Sequence, residues 1–406
     1  MFFKTGFGKS KRKNPITAGK EAFDKAIQGL DGEPHLLIVY ATANYDQKAL
    51  LTAIAEQNTG HCPVVGCSGE GIIDDEESYE GKFVVGVLAL SSDSARFTPF
   101  YIPDIVTDGA EAGRVLAKQI NDLKIVDPKA MILYPDGLKS NCTQLLNALG
   151  GSLNYKLPIF GGTSGDSFEF EKSFQYFGTE PLVNGLSGFV ISGDIEIDFI
   201  VSHGCTQIGK AAEVTKASGN VLIELDHKPA ADALLEYFDI DGSEAEKGNI
   251  VQGGIGEKIE NVDLAQEYDG EYIMRTPMRV NEDRSINMAA EIAVGSKVVY
   301  HRRDPEEISN RSKKAFLKMI DRHAGELPHA VLQFDCCGRG RTIFKNETTA
   351  NILTPLTSCF DGAKIPWFGF HSFGEIAPVK DTVLFHNYTV VLCVIYPKSN
   401  PLKKAS

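Results

Sequence analysis

Pro63-Val-Val-Gly66-Cys-Ser-Gly69-Glu70 is a short glycine-rich turn, and the chain carries a version of it three times. The second version is Pro158-Ile-Phe-Gly161-Gly-Thr-Ser-Gly165-Asp166, and the third is Pro366-Trp-Phe-Gly369-Phe-His-Ser-Phe-Gly374-Glu375. Proline opens each turn without donating a hydrogen bond, and the glycines permit positive φ and close backbone approach. Such turns aim several backbone N–H groups at one point, where they can hold an anion. Three versions in similar surroundings predict an internal duplication.

The same order of predicted elements surrounds each turn. A helical pattern, a strand and a second helical pattern come before it, and another apolar strand comes after it. Apolar residues spaced three and four apart, beside short β-branched runs, indicate helices that cover a buried sheet. We therefore predict an α/β fold of repeated α-β-α-β units that form helix-flanked sheets in two halves. In the third unit Pro355 lies inside the second helical pattern, so this helix begins at Thr354 or is kinked.

The repeats divide the chain into an arm and two halves. Residues 1–14 contain the basic run from Lys9 to Lys13 and are predicted to be a solvated N-terminal arm. Residues 15–226 form an N-terminal half with two units, which join near Ile105. Residues 227–406 form a C-terminal half with the third unit.

A different module lies before the third unit, at roughly 194–301. It is predicted to start with a strand from Ile195 to Val201. Alternating polar and apolar residues from Glu271 to Tyr300 predict antiparallel strands, so the module is read as a β insertion. The glycine-rich stretch from Gly242 to Gly256 is predicted to be a loop.

The composition argues against several classes of protein. The 406 residues are 43% hydrophobic and 23% charged, which is typical of a globular protein, and the net charge is −13. An acidic chain is a poor partner for nucleic acid or for an anionic membrane. The longest apolar runs, Phe83–Leu90 and Thr389–Tyr396, fall far short of the roughly 20 residues that span a bilayer. No secretory signal is evident, so we expect a soluble protein in the cytoplasm.

The eight cysteines form no C-x-x-C pair, and in a large cytosolic chain we expect them to be reduced. Cys336 and Cys337 are adjacent, but adjacency alone does not indicate redox chemistry.

Several stretches together carry a family resemblance. They are Val64–Glu70, Leu133–Gly137, Phe160–Asp166, Ser202–Cys205, Leu225–Ala230, Phe334–Arg339, Gly369–Glu375 and Phe385–Asn387. In this order they resemble FIST proteins, with both the N-terminal and the C-terminal FIST domain, from about Pro34 to Tyr396. Where the family often shows Ser-Thr after the first Gly-Cys, this chain has Ser68-Gly69.

The resemblance implies a sensory module of signal transduction that binds a small molecule such as an amino acid. It also implies an alternative, because a bacterial subset of the family is described as haem-binding nitric-oxide sensors that act on a partner histidine kinase. The output would pass to a separate partner.

The three turns are the first candidate site. Hydroxyls, backbone amides and carboxylates at strand ends suit a small polar ligand. The candidates are Gly66, Cys67, Ser68, Gly69, Glu70, Gly161, Gly162, Thr163, Ser164, Asp166, Gly374 and Glu375. The alternative is that the turns only form tight connections between helices and strands, and that their carboxylates face solvent.

Basic residues form the second candidate. Asp335-Cys-Cys-Gly-Arg339-Gly-Arg341 directly follows a strand, and ligands of open α/β sheets lie beyond the carboxyl ends of strands. Arg339 and Arg341 could bind a ligand carboxylate or propionate, and Arg275 is a similar candidate. The alternative is a surface loop whose arginines pair with acids.

Histidines and Cys67 complete the candidates. His203, His371 and His386 are the possible axial ligands if haem is the cofactor, although each can equally satisfy a buried backbone group. A Cys- or acid-based hydrolase of small molecules is a further alternative, with Cys67 as a possible nucleophile, but the turn lacks the G-x-S-x-G spacing. We therefore predict a cytosolic sensor that is not an enzyme.

Overall fold

The computed structural model describes residues 2–238, 253–265, 268 and 270–398. The first unit comprises β1 (Phe3–Ser10), α1 (Pro15–Gly29), β2 (Leu36–Thr42), α2 (Gln47–Gln57), β3 (Val64–Gly69), β4 (Ile72–Asp74), β5 (Ser78–Tyr79) and β6 (Val85–Ser92). The second comprises β7 (Ala95–Ile102), α3 (Gly109–Asp122), β8 (Pro128–Pro135), α4 (Cys142–Ser152), β9 (Ile159–Gly162), β10 (Gln175–Phe177), β11 (Glu180–Leu182) and β12 (Leu186–Gly193).

The third unit is split by the insertion. It starts with β13 (Ile195–Ser202). The insertion comprises β14 (Cys205–Gln207), β15 (Ala212–Ser218), β16 (Val221–Leu225), β17 (Lys228–Pro229), α5 (Ala230–Phe238), β18 (Gly253–Lys258), α6 (Val262–Ala265), β19 (Tyr272–Arg275), β20 (Pro277–Val280), β21 (Ile286–Met288) and β22 (Lys297–Arg303). The third unit resumes with α7 (Pro305–Asp321), β23 (Ala330–Cys336), α8 (Arg341–Phe344), α9 (Thr354–Thr357), β24 (Trp367–Ser372), β25 (Glu375–Val379), β26 (Thr382–His386) and β27 (Val390–Pro397).

The three units build three six-stranded sheets of the same topology. Their strand orders are β1-β6-β2-β3-β10-β11, β7-β12-β8-β9-β25-β26 and β13-β27-β23-β24-β4-β5. In each sheet the two central strands are parallel, and the hairpin that follows each glycine-rich turn leaves its own unit for a neighbouring sheet. The first unit donates a hairpin to the third, the second to the first, and the third to the second. The units are therefore interlocked in a ring, and the predicted α/β fold of helix-flanked sheets is confirmed.

The inner faces of the three sheets share one core. Tyr40, Tyr134 and Phe334 occupy equivalent positions, each one residue beyond the residue that pairs with the turn glycine. The hydroxyls of Tyr40 and Tyr134 are 2.8 Å apart, and the Tyr134 and Phe334 rings are 6.3 Å apart. The outer faces are buried under the helices in separate apolar clusters, one for each unit. Burial on both faces accounts for the continuous apolar strands.

The first residues of the chain are a strand and not a solvated arm, so that prediction was wrong. β1 pairs with β6 along its whole length, and its Phe3 and Phe7 pack on the central core. A Cβ on Gly6 would lie 2.0 Å from a backbone oxygen of α1, so glycine lets that helix lie directly on the strand. Lys9 Nζ lies 2.6 Å from Asp74 and 2.6 Å from Glu77, and these acids neutralise part of the basic run.

Two boundaries between units also differ from the prediction. β7 pairs with β12, so Ala95–Ile102 belongs to the second unit. β13 pairs with β27, so Ile195–Ser202 belongs to the third unit and not to the insertion. Edge pairing between distant strands leaves no local sequence signal. The division near residue 226 stays a prediction.

The insertion forms a nine-stranded antiparallel sheet, as predicted. The loop predicted for Gly242–Gly256 lies mostly outside the described residues, and the described part from Gly253 onward is strand. Asn14 and Asp304 cap the starts of α1 and α7, because each side chain accepts hydrogen bonds from backbone N–H groups in the first turn of its helix. In the third unit α9 begins at Thr354, after a π-helical turn. In the part of the chain that the structure describes, no helix is long and apolar enough to cross a membrane.

Candidate functional site

The three glycine-rich turns meet one another at the carboxyl ends of the central strands. The backbone N–H of Glu70 donates to the carbonyl of His371, Thr163 N–H to Gly374, and Gly165 N–H to Ser68, at 2.8–3.0 Å. These N–H groups were predicted to hold an anion, but they donate to carbonyls of a neighbouring turn. The turns therefore join the units to one another, and the predicted cradle is closed at these positions.

Two glycines of the turns are required by close packing. Gly66 and Gly161 have φ of 141° and 154°, and a Cβ on either would lie 1.9–2.0 Å from a carbonyl oxygen of the paired strand. No other residue fits such an approach without moving the backbone. Their predicted role in close approach is confirmed, and it is a structural one. Gly69 and Gly162 likewise face side chains of the third turn, Phe370 and Ser372.

The hydroxyls of the turns are used inside the protein. Ser68 Oγ donates to the carbonyl of Gly165 at 2.6 Å. Ser164 Oγ donates to Ser173 at 2.8 Å and accepts from the Gln175 side chain. Both serines are fully buried, so neither hydroxyl faces a cavity opening.

The first two carboxylates of the turns hold one loop, 167–172. Glu70 accepts the N–H of Ser167 at 2.7 Å, and Asp166 accepts the N–H groups of Phe170, Glu171 and Lys172 at 2.6–3.0 Å. Three residues of this stretch that are not glycine, at 167, 168 and 170, have φ of 56–67°. Such conformations are uncommon, and the carboxylates compensate for them. These acids are therefore not solvated, and they fix a loop that carries two phenylalanines.

Glu375, the acid of the third turn, is fully buried and forms no ion pair with a described residue. It accepts from Ser372 Oγ and Thr389 Oγ at 2.7 Å each, and from the Thr389 N–H. Burial raises the pKa of Glu375 far above the ordinary range of a carboxyl group, and the hydrogen bonds oppose this only in part. The neutral form of Glu375 is favoured for this reason.

A second group of acids lies beside Arg341. Burial raises the pKa of Glu70 to about 7 and the pKa of Glu80 to about 8, although hydrogen bonds from backbone N–H groups oppose the shift. Arg341 donates its backbone N–H to Glu80 at 2.6 Å, and its guanidinium lies over the Phe168 ring. Each of these two glutamates has one buried oxygen without a hydrogen-bond partner in the described residues. Both carboxyl groups are thus poised to change charge near neutral pH.

The other two predicted arginines are paired inside the protein. Arg339 is 1% exposed and lies 3.2 Å from Asp335, and it also donates to Ser202 and Ser312. Arg275 donates to Glu257 through two nitrogens and to the carbonyl of Phe385. These two guanidinium groups hold elements together and do not project into solvent, so the surface-loop alternative is wrong for Arg339.

The three candidate histidines are all buried inside the protein. Both ring nitrogens of His386 are hydrogen-bonded, to Tyr268 and to the carbonyl of Ala377. His371 is fully buried beside Ser78, and burial lowers its pKa to about 3. His203 accepts the N–H of Cys205. None of the described residues that line the main cavity of the protein is a histidine, so the structure places no axial ligand for a haem there.

Cys67 lies in the central core and is fully buried. Burial raises the pKa of its thiol well above the ordinary value, which disfavours the thiolate that attacks a substrate. Its burial and the raised pKa therefore argue against Cys67 as the nucleophile of a hydrolase.

The main cavity lies at the carboxyl ends of β8 and β23, with the insertion on its other side. Its volume is about 630 Å³. We call it the strand-end cavity, and its walls come from the second unit, the third unit and the insertion. The lining residues are Asp136, Gly137, Leu138, Lys139, Ser140, Cys142, Thr163, Phe168, Phe170, Asn220, Thr276, Met278, Asn287, Met288, Ala289, Arg303, Cys336, Cys337, Gly338, Thr342, Phe373, Phe385 and Tyr388.

The walls of the strand-end cavity combine aromatic rings with cations. Phe168 and Phe373 have ring centroids 5.9 Å apart, and the guanidinium of Arg303 lies 5.3 Å from the Tyr388 centroid. Lys139 is exposed at the wall, and its side-chain ammonium makes no hydrogen bond or ion pair with a described residue. The acid Asp136 differs, because it already accepts three backbone N–H groups and a serine hydroxyl. The wall therefore favours an anion.

Of the site residues predicted from the sequence, only Thr163 lines this cavity. The sequence did indicate ligand chemistry after the strand at residue 335, and Cys336, Cys337 and Gly338 do line the wall. The aromatic residues were missed because their role depends on the loop that Glu70 and Asp166 fix. Phe168 and Phe170, two residues apart and directly after the second turn, are the sequence signal that could have indicated this aromatic wall.

A second cavity, of about 610 Å³, lies between α4 and the hairpin of β25 and β26. Pro158 and Ile159 line it, so it borders the start of β9. In open α/β sheets ligands bind beyond the carboxyl ends of strands, and this cavity is at the opposite end. The strand-end cavity is for this reason the candidate site.

The structure defines a mixed α/β protein of three like units and a β insertion, with a ligand-sized cavity between the second unit, the third unit and the insertion. The chain belongs to the FIST family: the FIST N domain model matches residues 35–228 and the FIST C domain model matches residues 230–378. FIST domains are in general sensor domains of signal transduction.

Relatives match the chain along most of its length. An uncharacterized protein of Mycobacterium tuberculosis (strain ATCC 25618 / H37Rv) is 26% identical over 400 residues, which are 96% of this chain and 98% of that protein. An uncharacterized protein of Methanocaldococcus jannaschii is 25% identical over 426 residues, which are 96% of this chain and 78% of the relative.

Two solved structures align with most of the chain at low similarity. One is a chorismatase, with a TM-score of 0.33 and 8% identity over 97% of this chain and 98% of that one. The other is cyanuric acid hydrolase from A. caulinodans, with a TM-score of 0.36 and 8% identity over 98% of this chain and all of that one.

Proposed function

We propose that the protein is a cytosolic sensor whose strand-end cavity binds a small anionic molecule with a flat apolar body. The observation that carries this proposal is the cavity itself, which lies at the carboxyl ends of strands in two repeat units. Ligands of α/β proteins bind at such places. Phe168, Phe373 and Tyr388 supply flat apolar surface, and Lys139 and Arg303 supply positive charge.

Binding would be read out through the loop 167–172 and the insertion. Phe168 and Phe170 belong to both the cavity wall and the loop, and Phe170 is 53% exposed at the surface. A ligand that contacts these rings favours one arrangement of the loop, and a separate protein can distinguish that arrangement. The family resemblance implies a histidine kinase as this partner. The proposal includes no chemical conversion of the ligand.

Thermal unfolding with simple probes tests the ligand class. A ligand that binds the native state raises its stability, by about 2.7 kcal/mol at a concentration of 100 Kd. We expect benzoate, indole-3-acetate or phenylacetate to raise the Tm, and the neutral benzamide to raise it much less. Failure of all three carboxylates to stabilise the protein would overturn the ligand class.

Two variants locate the binding. Lys139→Gln removes one cation of the wall and should weaken the stabilisation, whereas Lys318→Gln, on the exposed face of α7, should leave it unchanged. Ala289→Phe places a ring in the cavity and should abolish the stabilisation by the ligand. Stabilisation that persists in Ala289→Phe would place the ligand elsewhere.

A further inference from the structure

Two adjacent thiols form part of the wall of the strand-end cavity. Cys336 ends β23 and is 3% exposed, and Cys337 begins a 3-10 turn and is 8% exposed. All eight cysteines of the chain are free thiols. Apart from this pair, only Cys142 lines the cavity, so two thiols in sequence at this wall are a distinct feature of the site.

The surroundings make the two thiols chemically different. The Cys337 thiol donates to Cys336, and the backbone N–H groups of Gly338 and Tyr388 also favour a thiolate there. These hydrogen bonds lower the pKa of Cys336 although burial opposes them, whereas the same contact with Cys336 and burial raise the pKa of Cys337. Thiolates react with oxidants and thiols do not, so Cys336 is the attacking sulfur.

We propose that Cys336 and Cys337 are a reversible redox site that a small hydroperoxide oxidises from within the strand-end cavity. In the first step the Cys336 thiolate attacks one peroxide oxygen and the O–O bond breaks. Cys336 becomes a sulfenic acid, and the other oxygen leaves and takes up a proton as an alcohol or as water. In the second step Cys337 loses its proton and attacks the sulfenic sulfur. The S–S bond forms, hydroxide leaves, and this hydroxide takes up a proton as water.

The chain geometry makes the product easy to reduce. Consecutive Cα atoms are about 3.8 Å apart, whereas ordinary disulfides join Cα atoms about 4.4–6.8 Å apart. A bridge between neighbours is therefore strained, and strained disulfides are the labile, regulatory ones. Cys336 packs against Cys205 and Met274 of the insertion, so closing the ring alters a contact between the third unit and the insertion.

The test uses the full chain, reduced and without any added ligand, treated with a small excess of hydrogen peroxide. Trypsin releases His323–Arg339, in which Cys336 and Cys337 are the only thiols. We expect this peptide to lose two hydrogens, about 2 Da, and to regain them with dithiothreitol. In Cys337→Ser, Cys336 should stop at the sulfenic acid, which dimedone traps.

Cys359 provides the matched control, because it is more exposed than either thiol of the pair and has no adjacent cysteine. Cys336 should react at least about tenfold faster than Cys359, because its lowered pKa favours the reactive thiolate and it borders the cavity, whereas burial raises the pKa of Cys359. Cys359→Ser should leave the oxidation of the pair unchanged. Equal rates at the two sites, or a Cys336→Ser variant in which Cys337 is oxidised as fast, would overturn the proposal. Because no ligand is present, this result is independent of the proposed sensor function.

Discussion

Glu70 makes the stability of the folded protein depend on pH. Its carboxyl group is 2% exposed, and burial raises its pKa from an ordinary 4.5 to about 7. A carboxyl with a higher pKa in the folded state binds its proton more tightly there than in the unfolded chain. The stabilisation is therefore complete below pH 4.5 and is lost as the pH rises from 4.5 to about 7.

The size of this effect follows from the two pKa values. They differ by about 2.5, and each pKa unit corresponds to about 1.36 kcal/mol, so Glu70 accounts for about 3 kcal/mol across this pH interval. Glu70→Gln keeps an oxygen for the Ser167 N–H and cannot ionise. We expect the wild-type protein to lose about 3 kcal/mol relative to Glu70→Gln between pH 4.5 and 7.5.

Urea denaturation at several pH values between 4.5 and 8.5 measures this difference directly. Glu169→Gln is the matched control, because Glu169 belongs to the loop 167–172 that Glu70 holds and is itself exposed. The control should follow the wild-type curve at every pH. If the unfolding free energies of wild type and Glu70→Gln change in parallel across this range, the proposed burial of an ionisable Glu70 is wrong.

Three further changes test the close packing of a turn glycine, the shared core and the loop 167–172. Gly161→Ala should cost several kcal/mol in urea denaturation, because its Cβ would meet a carbonyl oxygen at 2.0 Å, whereas Gly150→Ala in α4, with nothing within 4 Å, should be neutral or stabilising. Tyr134→Phe removes the 2.8 Å contact with the Tyr40 hydroxyl and should cost about 1–3 kcal/mol by the same measurement, since a buried hydroxyl loses its partner. Asp166→Ala removes the acceptor of three backbone N–H groups, and limited proteolysis should then cut the loop 167–172 much faster than in wild type.

The helices and strands of each unit could be predicted from the sequence, but the exchange of hairpins between units could not. Strands such as Leu36–Thr42 and Ala330–Cys336 are buried on both faces, and continuous apolar runs identify such strands reliably. The hairpin of β25 and β26 instead pairs with β9, which lies more than 200 residues earlier in the chain. Its register depends on the contact between the turns, and no local pattern records a contact at such a distance.

Contacts between distant parts of the chain also explain why the predicted site residues bind other protein groups. The turn acids were recognised by type and position, and the structure brings Glu70 and Asp166 to one loop. Their partners, however, are backbone N–H groups rather than a guest molecule. A sequence shows which groups can accept hydrogen bonds, but packing decides whether protein or ligand donates them.

The position of the cavity follows from breaking the near symmetry of the three units. The register of the central strands makes Thr42, Asp136 and Cys336 equivalent, each three residues beyond the residue that pairs with a turn glycine. Thr42 is fully buried and donates to the carbonyl of Lys82, so the first strand end is filled by its own unit. Asp136 and Cys336 both face the strand-end cavity, where the insertion supplies the remaining wall. The ring of like units thus has three equivalent strand ends. The insertion interrupts only the third unit, and it encloses a ligand-sized cavity over two of these strand ends.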